Sequence, residues 1–105
     1  MGFSRTLGQA LGLVLSERDR QDELWGEIPF ENVSCGLDCL HEELKDLCKK
    51  FTPSELEKDI PSNKLDATIV DATHVAAVSL KILQTLLLQR SELEKAARES
   101  AEETE

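Results

Sequence analysis

The sequence predicts an all-α fold, and three observations carry that reading. Apolar residues recur at intervals of three and four through most of the chain, the repeat that puts them on one face of a helix. No β-rich segment and no internal repeat occurs. All three prolines, Pro29, Pro53 and Pro61, fall between the periodic segments rather than inside them. With 105 residues and no Gly/Ser linker, one helical domain over residues 1–90 is expected. Its core is modest, and homo-oligomerisation would complete it.

In the first segment, Leu7, Ala10, Leu11, Val14 and Leu15 stand at helical spacing before the charged run Glu17 to Glu23. The spacing predicts one helix from Phe3 to Leu24 that stops at Trp25-Gly26, since glycine tolerates the backbone of a helix end. Pro29 discourages continuation, so Gly26 to Asn32 is read as a loop. Val33, Leu37, Leu40, Leu44, Leu47 and Phe51 then mark the stripe of a second helix, with Glu42, Lys45 and Lys49 opposite. Thr52-Pro53-Ser54-Glu55 combines an N-cap threonine, proline at the first helical position and glutamate three residues after the cap. That combination predicts a short third helix.

Ser62 or Asn63 is expected to cap a long fourth helix from about Lys64 to the low nineties. Its stripe is Leu65, Ile69, Ala72, Ala76, Leu80, Leu83 and Leu87. The flanks Val70, Val75, Ala77, Val78, Ile82, Leu86 and Leu88 are apolar as well, so the helix should be enclosed by neighbours, including a partner subunit. Residues 91–105 form a charged, alanine-rich tail that extends the helix or is disordered.

A formal net charge of -9 argues against nucleic-acid polymers and anionic membranes, which are bound through Lys and Arg. It favours divalent cations instead. Cys35, Cys39 and Cys48 are odd in number and read as small buried thiols rather than a disulfide framework or a zinc set. The N-terminus lacks a signal-peptide pattern, so a cytoplasmic location is expected. Asp71, His74 and Lys81 break the longest apolar run before it reaches the ~20 residues of a bilayer span, so no membrane partner is expected.

Asp71 and His74, three residues apart in an otherwise uncharged helix segment, are the best pointer to a site, because buried ionisable groups need a partner or a metal. Glu43 and Asp46 share a face of the second helix, and Glu42 and Asp46 are neighbours at a spacing of four. If the two helices pack antiparallel, Glu43, Asp46, Asp71 and His74 converge, with Glu42 nearby. Oxygen-rich sets of this kind suit Mg²⁺ or Mn²⁺, which bind phosphates and activate water. The plainer alternative is a solvated acidic face beside Lys45 and Lys49, with Asp71 and His74 hydrogen-bonded in the core.

Three blocks of residues, Glu17-Arg18-Asp19-Arg20-Gln21-Asp22-Glu23-Leu24-Trp25-Gly26, Glu42-Glu43-Leu44-Lys45-Asp46 and Asp71-Ala72-Thr73-His74-Val75-Ala76-Ala77-Val78, resemble the MazG-like branch of the all-α nucleoside triphosphate pyrophosphohydrolases. The family pattern is E-R-x-R-Q-x-x-x-W-G, then E-E-x-x-E, then E-x-x-D followed by small apolar residues. The resemblance covers roughly Glu17 to Leu88, and its opening block is the most specific part.

The resemblance implies a bundle that forms a homodimer or homotetramer and cleaves a nucleoside triphosphate to the monophosphate and pyrophosphate with Mg²⁺ or Mn²⁺. It implies Glu43, Asp46, Asp71 and His74 as metal ligands, and Glu42 with Glu43 as the catalytic glutamates. Arg18, Arg20 and Lys45 would meet the phosphates and Trp25 the base. For the arginines the alternative is ion pairing within their own acid-dense segment, and for Trp25 a place in the core. Asp46 and Asp71 each stand where the family carries Glu, and His74 where it carries Asp. The competing class is a non-catalytic MazG-like module for nucleotide binding or protein interaction, and a third is a purely structural helical oligomer whose acidic face meets a basic partner.

Overall fold

The computed structural model describes residues 4–26 and 30–103, apart from the side chains of Trp25, Leu56 and Glu103. The fold is all-α, with no strand among the described residues. Helix α1 spans Arg5–Trp25, α2 Val33–Cys48, α3 Pro53–Leu56 and α4 Ser62–Glu103.

Local chemistry sets the helix ends. The Ser4 hydroxyl caps α1 by accepting from the Leu7 N–H at 3.1 Å, and Asn32 caps α2 by accepting from Cys35 N–H at 2.9 Å. Gly26 closes α1 at φ 86°, ψ 161° while its N–H donates to Asp22 C=O, a conformation that excludes a Cβ. The Thr52–Glu55 capping box starts α3 as expected. The fourth helix starts ahead of the expected Lys64 and, at its other end, takes the helical-extension alternative for the tail. It begins at Ser62, directly after Pro61, whose carbonyl accepts from Lys64 N–H at 2.9 Å. It then continues through the charged segment to Glu103.

Cross-helix contacts give the directions. Lys50 meets Asp71, Glu43 meets His74, and Gly36 meets Ile82, so α2 runs antiparallel to α4. Leu13 shares a cleft with Ile69 and Val70, and Gln21 shares another with Val78 and Lys81, so α1 runs parallel to it. The backbones of α1 and α2 both rest on α4 and not on each other.

The inward faces differ from the expected stripes. On α2 the partly covered residues are Val33, Gly36, Leu40, Glu43 and Leu47, while Leu37 and Leu44 are exposed. This register brings Glu43 inward. On α4 the expected core stripe faces outward, with Leu65, Ile69, Leu83 and Leu87 between 43% and 51% exposed. The face turned to α1 and α2 contains Asp71, His74, Val78, Ile82 and Thr85. The stripe cannot follow them inward, because a helix presents only one side to two neighbours that already pair with its polar groups.

The result is a thin core. Phe51, Ala77 and Val78 are the buried apolar residues, and no large side chain among the described residues is fully enclosed. The three cysteines expected to be buried are exposed and free. The radius of gyration is 18.4 Å, against about 13 Å for a compact chain of this length. By length and composition α4 also passes for a bilayer-crossing helix, with a mean hydropathy of 1.2 over its most apolar eighteen residues. That departs from the expectation that its charged residues interrupt it too early.

Candidate functional site

His74 is the meeting point of the three long helices. Its Nε2 lies 3.5 Å from Glu17 Oε1 on α1, and its Nδ1 lies 3.7 Å from Glu43 Oε2 on α2. A protonated imidazole therefore has a carboxylate at each edge. Glu17 is the better held of the two. It accepts from Arg20 Nε at 2.9 Å, Arg20 Nη2 at 2.5 Å and Gln21 Nε2 at 3.3 Å. The Arg20 hydrogen bonds, followed by the charge on His74, hold its carboxyl below the ordinary value. A cleft of about 280 Å³ opens beside this cluster, with apolar walls from Leu13, Ile69 and Val70 and with Glu17, Arg20 and His74 on its polar side.

Of the four expected metal ligands, the structure joins only Glu43 and His74. Asp71 is taken by Lys50, whose ammonium donates to its Oδ2. Asp46 is exposed, as is Glu42. Glu17 and Glu43 stand at opposite edges of one imidazole, so they cannot share an ion bound through a single ring nitrogen. Among the described residues, no group of three His, Cys, Asp or Glu side chains is arranged to hold a metal. These residues do not fit an Mg²⁺ or Mn²⁺ centre of the implied kind.

The expected phosphate-binding cations are also engaged. Arg18 is buried, donates from Nη2 to Gln84 Oε1 at 2.8 Å, and lies 3.2 Å from Asp22 Oδ1. It locks α1 onto α4. Arg20 is tied to Glu17, the ion-paired alternative to phosphate binding. Lys45 is exposed on the outer face of α2, lining an open groove with His41, Glu42 and Cys48. The Trp25 side chain lies outside the described residues.

Glu17 and Lys50 are the participants that site reasoning from sequence did not select. Glu17 leads the charged opening block, a signal that was available. Lys50 had none, since only the α2–α4 register brings it to Asp71. No protein-family model, curated protein or solved structure matches this chain.

Proposed function

We propose that this chain is a MazG-like helical subunit, completed by homo-oligomerisation, that serves as a non-catalytic protein-interaction module. The observation that carries the reading is the Lys50–Asp71 pair. A cation of the protein's own occupies a carboxylate that the catalytic resemblance reserves for a metal. The outward apolar stripe of α4 supports it independently, because exposed contiguous apolar surface marks interaction sites.

The second reading is the divalent-metal-dependent nucleoside triphosphate pyrophosphohydrolase. It is favoured by one observation, that Glu43 and His74 come from different helices and still meet at 3.7 Å. A panel of ordinary and modified nucleoside triphosphates, incubated with Mg²⁺ and with Mn²⁺ and assayed for pyrophosphate, separates the two. The interaction reading expects no product. Pyrophosphate release that disappears in Glu43→Gln would replace it with the enzymatic one.

A further inference from the structure

We infer that the outward stripe of α4 is the seam of an antiparallel, two-fold symmetric pair with a second copy of this chain. The inference rests on the homo-oligomeric part of the reading above and adds the face, the register and the direction.

Leu65, Ile69, Ala72, Ala76, Leu80, Leu83 and Leu87 lie within about 40° of a single line on a helix turning 100° per residue. That line is opposite the side occupied by His74, Lys81 and Thr85, which face α1, α2 and Phe30 in the connection between them. Most of the stripe is thus left over after the chain has folded, with Leu65, Ala72, Leu83 and Leu87 exposed, Ile69 exposed at the edge of the α1 cleft, and Ala76 and Leu80 half-covered. The surface area measures the deficit. The accessible area is 8327 Å², about 2,400 Å² more than the ~5,900 Å² expected for a compact 11.7 kDa monomer. A standard interface removes about 800 Å² per partner, so the excess is large enough to supply one even with part of it due to the projecting end of α4.

The pattern also selects the direction. About Ala76 the stripe is symmetric in spacing, so an antiparallel partner sets Leu65 against Leu87, Ile69 against Leu83, and Ala72 against Leu80. Ala76 meets its own copy at the two-fold, where the small side chain allows close approach. A parallel pair would instead set both Ala72 and Ala76 against their own copies, two successive small–small layers where the antiparallel pair has one. Charge points the same way. Residues 91–103 hold five acids and two bases, a net charge of -3 that a parallel pair would place beside an identical segment and an antiparallel pair sends to the opposite end. The two-fold symmetry closes the assembly at this face.

Light scattering should give a mass of about 23 kDa, twice the 11.7 kDa chain, or a multiple of it. Leu83→Glu should bring that twofold excess back to the single-chain mass with the helical circular dichroism retained, while Leu93→Glu, off the stripe, leaves it unchanged. With Cys35, Cys39 and Cys48 replaced by Ser, L65C and L87C should each stay uncrosslinked alone under mild oxidant and crosslink when mixed. Self-crosslinking of L65C, or an oligomer indifferent to Leu83→Glu, overturns this seam and leaves the oligomeric reading standing. A single-chain mass at all concentrations overturns both, as does a monomer that sediments with phosphatidylcholine vesicles.

Discussion

Lys50, two residues beyond the end of α2, donates to the Asp71 carboxylate on α4 and pins the antiparallel register of the two helices. The same contact neutralises the acid that would otherwise face a cation. The pair is partly exposed, with Lys50 45% and Asp71 17% accessible, so its contribution to stability is small, on the order of 0.5 kcal/mol.

Lys50→Ala is therefore expected to lower the unfolding free energy by less than about 1 kcal/mol, and the loss should shrink in high salt. Urea denaturation at two ionic strengths measures both effects. Calorimetric titration of the parent with Mn²⁺ should show no saturable binding.

The pH dependence follows from Glu17. Its carboxyl is held below the ordinary 4.5, first by the hydrogen bonds from Arg20 and then by His74. A depressed folded value means that the native state binds fewer protons than the unfolded chain. The stabilisation is thus complete above about 4.5 and is lost as pH falls through the lower folded value. Glu17→Gln should cost about 1 kcal/mol at pH 7 and flatten the decline in melting temperature as pH falls below the ordinary carboxyl value.

Two glycine substitutions should act with opposite signs. A Cβ at Gly36 would stand 2.8 Å from Ile82 Cγ1 and 2.9 Å from Phe30 Cδ2, whereas one at Gly12 would meet nothing within 4 Å. Gly12→Ala should raise stability by up to about 1 kcal/mol through helix propensity. Gly36→Ala gains the same propensity but overpacks the α2–α4 contact by about 1–3 kcal/mol, so its melting temperature should fall.

Thr52→Ala removes the hydroxyl that accepts from Glu55 N–H at 3.3 Å and bonds to the Glu55 carboxylate at 3.1 Å. The loss should be about 1 kcal/mol, measurable by thermal unfolding. Thr52→Ser should retain most of the cap.

The elements were legible in the sequence because their signals are local. The Thr52–Glu55 box and the glycine stop at Gly26 are written into consecutive residues, and both occur where expected. The inward face of α4 was not legible, since Val70, Val75, Val78 and Ile82 make its flanks nearly as apolar as its stripe. Periodicity then permits several faces to be the buried one. The site was readable only in part. Glu43 and His74 could be paired on an antiparallel packing, but Asp46 lies farther round α2 and stays exposed.

By itself, the sequence determined an all-α chain, the approximate span of each helix, and the residue types from which a site would be built. Tertiary structure alone decided which of those residues meet. Helix periodicity sets angles around one axis and carries no information about which side a neighbour takes. In the structure the choice is visible in pairings between residues 21 to 66 positions apart, Lys50 with Asp71 and Arg18 with Gln84. They belong to a packing in which the polar side of α4 faces inward and Leu65, Leu83 and Leu87 face out.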